Sequence, residues 1–253
     1  MTDSHLFSST GMSALARYVR TDTLFAFNLE SILAQNIAEY SLVYITNPVK
    51  ASLQRLMDVA NVMVFSWRSH NDALDILGFE PHLLTGNYGT APRSQGNSRN
   101  WENVKLCLKW REQIYDMIGY IKGLEIEFFG ESILLRFCKA DNPELALSLI
   151  NAAIENLNPQ PRKIYGKLFV HLLPGNTITR GENLLASMEL FGSRKAIYFG
   201  EDEADEEVFG LIDVDVFGIH IGKDENTEAS RYIQSQSDLP GLITSIVGIL
   251  ETD

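Results

Sequence analysis

Short apolar runs bounded by polar residues alternate along this chain with longer stretches whose apolar positions recur every three or four residues. The runs Leu24–Phe27, Val62–Phe65, Ala196–Phe199 and Val216–Ile221 predict short buried strands. Val49, Leu53, Leu56, Met57 and Ala60 recur at helical spacing behind Pro48, whose fixed φ suits a first helical turn. The residues Asp72 to Leu77 predict a second helix with Gly78 as its stop. Helices are also expected at Arg180–Leu190 and Leu239–Leu250, with a short one at Asp205–Leu211. Strand, helix, strand and helix in this order predict a parallel sheet covered by helices. The first 20 residues are polar, and little order is expected there beyond a helical turn or two over Met12–Val19.

From Pro92 to Asn100 the chain turns polar, with glycine, serines and asparagines, which reads as a linker. Beyond it the pattern changes. Residues 101–118 show helical periodicity, and Leu124–Phe128 with Ser132–Phe137 around Gly130 predict a hairpin. Pro143 opens another helix, and Lys167–Leu172 reads as a strand. The expected fold is α/β: a doubly wound parallel-sheet core of residues 1–92 and 173–253, interrupted by an inserted α+β cap domain of residues 93–172.

Composition narrows the function classes. The 253 residues are 45% hydrophobic and 21% charged, as in ordinary globular proteins, with a formal net charge of -12. Such an acidic balance argues against nucleic acid and anionic membranes as partners, since phosphate binding needs clustered Lys and Arg. Two cysteines, Cys107 and Cys138, make no disulfide framework, and no apolar run approaches a membrane span. With no signal-peptide pattern at the N-terminus, a cytoplasmic protein is expected.

Several segments read together resemble the trehalose-6-phosphate phosphatase family of the haloacid-dehalogenase-like superfamily. The first strand of that family ends in Asp-Phe-Asp-Gly-Thr-Leu; here the same place reads Ala26-Phe27-Asn28-Leu29-Glu30-Ser31. The Ser-Gly-Arg after its second strand appears as Ser66-Trp67-Arg68, and its Gly-x-His-Gly turn as Gly86-Asn87-Tyr88-Gly89. The cap segment is similar to Ile126 through Cys138. The return to the core, with its following Ser-Lys-Gly, is similar to Gly166 through Pro174 and then Thr179-Arg180-Gly181. The acidic Gly-Asp-Asp-x-Thr-Asp-Glu loop appears as Gly200-Glu201-Asp202-Glu203-Ala204-Asp205-Glu206. The resemblance covers nearly the whole chain from about residue 20.

What the resemblance implies is a phosphatase framework with its chemistry removed. In the family the first Asp attacks phosphorus and the second is the general acid and base. Here Ala26 and Asn28 stand there, and neither a methyl group nor a carboxamide does that work. Ser66 and Arg180 fall where the family binds phosphate, with Arg180 in place of a Lys. Glu201, Asp202 and Asp205 fall in the magnesium loop, where the ion is expected to bind weakly for want of the first carboxylate. Glu30 could swing in as a substitute ligand, but its longer side chain starts two residues further on, and catalysis tolerates little misplacement. In the cap Glu127 matches a sugar-binding residue and Asn87 joins it from the turn. Phe129, His171 and Leu173 replace the remaining sugar-binding charges.

Blander roles stand beside these. Ser66 suits a helix cap, Arg68 a partner for the acidic loop, His171 and Phe129 buried packing, and Trp67 a plug above the sheet. The expectation is a catalytically inactive, phosphatase-like protein that regulates or scaffolds trehalose metabolism, with a trehalose-6-phosphate synthase as natural partner. A non-hydrolytic sugar-phosphate sensor and an active magnesium-dependent phosphatase with an unconventional site are the alternatives.

Overall fold

The computed structural model describes residues 4–34, 43–86, 100–166 and 168–252. It divides into two compact units, one of residues 1–89 and 178–253 and the other of residues 90–177.

The first unit is built on a six-stranded sheet. Its strands are β1 (Thr23–Asn28), β2 (Asn61–Phe65), β3 (Leu83–Thr85), β8 (Lys195–Gly200), β9 (Asp215–Ile221) and β10 (Arg231–Ile233), in the order β10-β9-β8-β1-β2-β3. Every pairing is parallel. Parallel sheets are buried on both faces, and β1 is buried at all six positions. Its odd residues Phe25 and Phe27 join a core with α2 (Asn47–Met57), α3 (His70–Leu77) and α8 (Leu239–Leu250). The even residues Leu24 and Ala26 face the other way, into a cluster with Leu184 and Met188 of α6 (Arg180–Phe191). Side chains of this size stabilise by roughly 1.5–3 kcal/mol each when fully buried, so a one-residue slip of β1 would exchange both faces at once. Gly78 ends α3 in the left-handed conformation, as expected of a glycine stop.

The N-terminal segment is more ordered than its polarity predicts. It holds helix α1 (Ser9–Ala16), capped by the Ser8 hydroxyl on the Gly11 N–H, and His5 bridges to Tyr232 beside β10. Two residues decide this: Leu6 and Leu15 are fully buried in the main core, while the serines and Thr10 form the outer face. Strands β3 and β10, three residues each, were too short to register as patterns.

The second unit carries an antiparallel sheet, β4 (Glu125–Phe128), β5 (Ile133–Arg136), β7 (Phe169–Leu173) and β6 (Arg162–Gly166), in the order β4-β5-β7-β6. Helices α4 (Trp101–Ile118) and α5 (Pro143–Glu155) supply Trp110, Ile114, Ile150 and Ile154 to its core. The hairpin turns at Gly130, whose φ of 85° is left-handed. β6 is an edge strand opening Arg-Lys, a polarity that hides it from a periodicity reading. Leu173 pairs with Arg162 in this sheet and the units part after residue 177, a few residues later than expected. Among the described residues no helix is long and apolar enough to cross a membrane.

Candidate functional site

The carboxyl ends of β1, β2 and β8 and the start of α6 bring together most residues that the sequence singles out in the first unit. Ligands bind at this edge in open parallel sheets. Ala26 is fully buried, with Met63 and Tyr198 as its register partners on either side. Its methyl is core packing. Asn28 is also fully buried and works as a cap: its Oδ1 accepts the Glu30 N–H at 3.2 Å and opens a five-residue π-helical turn, Leu29–Leu33. A single π turn is rare and frequent at functional sites.

That turn carries the Glu30 carboxylate to the end of β2. Ser66 Oγ donates to Glu30 Oε1 and accepts the Arg68 N–H at 3.0 Å. Arg68 Nε lies 3.8 Å from the same carboxylate oxygen, and the guanidinium sits 5.0 Å from the Trp67 ring centre. Burial pushes the Glu30 carboxyl above the ordinary range, opposed by the Ser66 bond and the Arg68 and Arg180 charges. One expectation is corrected here. Ser66 does not cap the following helix; Ser69 does, accepting the Asp72 N–H. Arg68 makes its ion pair with Glu30.

Arg180 opens α6 behind a capping box of Thr179 and Glu182. It is buried, and its Nη1 pairs with Asp205 Oδ1. The same oxygen accepts the Tyr198 hydroxyl at 2.5 Å, while Asp205 Oδ2 accepts the N–H groups of Glu201 at 2.7 Å and Asp202 at 2.8 Å. Burial and the Asp205 charge hold the Tyr198 phenol well above its ordinary pKa. Close backbone approach makes this possible. A Cβ on Gly200 would lie 2.5 Å from Asp205 Cβ, and one on Gly181 would lie 2.6 Å from the Glu207 carbonyl oxygen. Asp202 is half-buried; burial and the Asp205 charge push its carboxyl up to about 7, against the pull of Arg180. Glu201 is exposed.

These donors do not fit a magnesium ion, which needs about six oxygens in near-octahedral array. Ala26 offers no oxygen, and both oxygens of Asp205 are engaged by Arg180, Tyr198 and backbone N–H groups. Among the described residues no three His, Cys, Asp or Glu side chains converge as a metal site.

In the second unit Glu127 Oε1 accepts a hydrogen bond from Arg136 Nη2 at 2.6 Å. His171 is fully buried, its ring centroid 6.2 Å from that of Phe129, and Leu173 is fully buried. Asn87, with the turn and linker around it, lies outside the described residues. Glu30 starts two residues past the aligned position, yet from the π turn its carboxylate meets the Ser66 hydroxyl. Tyr198 was missed, since a tyrosine inside an apolar strand carries no signal of the carboxylate it will meet.

No family model matches the chain. It is 29% identical over 102 residues to trehalose-6-phosphate phosphatase of Escherichia coli (strain K12), a match spanning 40% of this chain and 38% of that protein. The chain thus spans little more than a third of that curated relative. The solved C-terminal domain of C. albicans trehalose-6-phosphate phosphatase superposes with a TM-score of 0.75 at 13% identity, covering 93% of this chain and 96% of that one. The C-terminal domain of the Candida albicans trehalose synthase regulatory protein gives 0.62 at 12%, covering 89% and 93%. At such identities the structural likeness is one of fold: a haloacid-dehalogenase-like α/β core with an inserted cap. The likeness read from the motifs and the likeness of fold point to the same group of proteins.

Proposed function

We propose that this chain is a non-catalytic, trehalose-6-phosphate-phosphatase-like protein with a regulatory or scaffolding role in trehalose metabolism. One observation carries the reading. The position that would hold the nucleophile is the methyl of Ala26, packed between Met63 and Tyr198 with no exposure to solvent. Around it the polar groups that would serve phosphate are engaged within the chain: Asn28 Oδ1 caps a turn, Ser66 donates to Glu30, and Arg180 pairs with Asp205. Transition-state stabilisation needs donors aimed at the reacting phosphoryl oxygens, and these are aimed at the chain's own carboxylates. A magnesium ion, weakened at this loop, is no part of the reading.

A trehalose-6-phosphate synthase is the partner this reading names. Its support is the similar fold of a protein described as a trehalose synthase regulatory protein. The free thiols Cys107 and Cys138 suit a cytoplasmic setting. The sugar-phosphate sensor is the second reading, favoured by the two buried arginines at the strand ends.

The test is phosphate release from trehalose 6-phosphate with magnesium, together with co-purification with the synthase. Release no higher than buffer and a stable complex are expected. Release that disappears in an identically purified Asp202→Asn protein would overturn the non-catalytic reading; a protein that always elutes free of the synthase would overturn the partner.

A further inference from the structure

Away from the carboxyl ends of the strands, the first unit holds a cavity of about 390 Å³ lined by Ser9, Thr10, Ser13, Ala14, Arg17 and Arg231. The segment before α1 runs beside edge strand β10: the Leu6 N–H donates to the Tyr232 carbonyl at 2.8 Å, and the Tyr232 N–H to the Ser4 carbonyl at 3.1 Å. Arg231 is the first residue of β10. Beyond the other end of α1, the Arg17 carbonyl accepts the Nζ of Lys195, the first residue of β8, at 3.2 Å. The cavity therefore lies toward the amino ends of the parallel strands. Ser9, Ser13 and Arg17 recur every four residues with Thr10 and Ala14 beside them, so one face of α1 carries small side chains and then a guanidinium. Larger side chains on that face would fill the space.

The net charge of the chain is -12, yet two arginines and no carboxylate line this cavity. Among the described residues neither guanidinium has an ion-pair partner, whereas Lys195 nearby meets Asp215 at 3.6 Å. Arg231 is half-buried, and its Nη1 donates to the Ser230 carbonyl at 2.6 Å. Its Nε is buried without a hydrogen-bond partner among the described residues. A buried donor left unmade is unfavourable, because it has lost its water without replacement. An anion in the cavity would supply the missing acceptor.

Two guanidinium groups without internal counter-charges suit a doubly charged oxyanion, which each binds through its fixed fork of N–H donors. A bare ion would use little of the space, since pockets of roughly 300–1,000 Å³ hold small organic molecules. The hydroxyls of Ser9, Thr10 and Ser13 can donate to phosphoryl oxygens and accept from alcohol groups. We propose that this cavity binds a small phosphorylated metabolite, its phosphate held by Arg17 and Arg231 and its hydroxylated body by the serines and threonine of α1. Ser66 and Arg180 take no part, so the site stands whether or not the chain is catalytic.

Calorimetric titration of glycerol 3-phosphate into the full chain tests this, with glycerol as the neutral control and chloride holding the ionic strength. Wild type should bind glycerol 3-phosphate saturably and glycerol not at all. Arg17→Gln and Arg231→Gln should each weaken binding at least about tenfold, because each removes a charge-assisted contact. Arg17 is exposed, so its variant decides the matter even if Arg231→Gln does not fold. Ser66→Ala should bind as wild type does. Absence of saturable binding in wild type overturns the proposal, as do folded arginine variants within about twofold of wild type. Loss of binding in Ser66→Ala overturns it by moving the phosphate to the carboxyl ends of the strands. Inorganic phosphate should bind more weakly than the ester; equal affinity would overturn the metabolite in favour of the free ion.

Discussion

Tyr198 sits beside Ala26 in the sheet register and donates its hydroxyl to Asp205 at 2.5 Å. The register partner of Ala26 thus holds Asp205 of the acidic loop, and Asp205 in turn pairs with Arg180. Arg180 and Asp205, which the resemblance assigns to phosphate and metal, meet Tyr198 in one buried network. Such networks cost much when broken on one side only.

Asp205→Asn should therefore destabilise the protein by about 3–5 kcal/mol, because it leaves the Arg180 guanidinium buried without its counter-charge. Tyr198→Phe removes one neutral donor and should cost about 1–2 kcal/mol. Urea unfolding monitored by circular dichroism measures both. Equal costs for the two variants would mean that the ion pair is not the dominant member of the network.

A carboxylate placed at position 26 should not by itself confer phosphatase chemistry. Ala26→Asp places a charge at a site of zero exposure between Met63 and Tyr198, and should lower stability by about 2–4 kcal/mol. No phosphate release should appear, since Ser66 and Arg180 remain engaged with Glu30 and Asp205. Turnover of trehalose 6-phosphate by this single variant would show that the rest of the site is poised for catalysis.

Glu30 gives a pH signature whose sign follows from its environment. Its carboxyl is raised above the ordinary 4.5, first by burial, with Ser66, Arg68 and Arg180 pulling the other way. The folded state then holds this proton more tightly than the unfolded chain. Stability falls as pH rises from about 4.5 through the folded value, and is regained on acidification across the same window. Glu30→Gln lacks this titration. The difference in unfolding free energy, wild type minus Glu30→Gln, should decrease between pH 4.5 and neutrality; an increase would mean that the arginines outweigh burial.

The two thiols should separate cleanly. Cys107 is fully buried in the α4 core, and burial with the nearby Glu131 charge pushes its pKa up to about 12. Cys138 is half-buried. Iodoacetamide at pH 8 should alkylate Cys138 while Cys107 stays unmodified until the protein is unfolded, as read by peptide mass spectrometry. Alkylation of Cys107 in the native protein at a similar rate would show that the second unit opens readily.

The sequence by itself determined the architecture. Apolar runs such as Leu24–Phe27 and the helical spacing of Val49 to Ala60 are local patterns, and local patterns dictate which faces must be buried. The motif order carried the family likeness, and the substitutions at Ala26 and Asn28 were plain in the letters. Edge strand β6 and helix α1 escaped because their outward faces are polar and their few core residues are sparse. The site's wiring was settled by tertiary structure alone. Ser66 and Glu30 are 36 residues apart, and Arg180 and Asp205 are 25 apart. Parallel pairing lines up the carboxyl ends of strands from distant parts of the chain, and only there does burial force each charged group to find the partner at hand. A cation that reads as a phosphate ligand along the sequence becomes the counter-ion of Asp205 once both are removed from water.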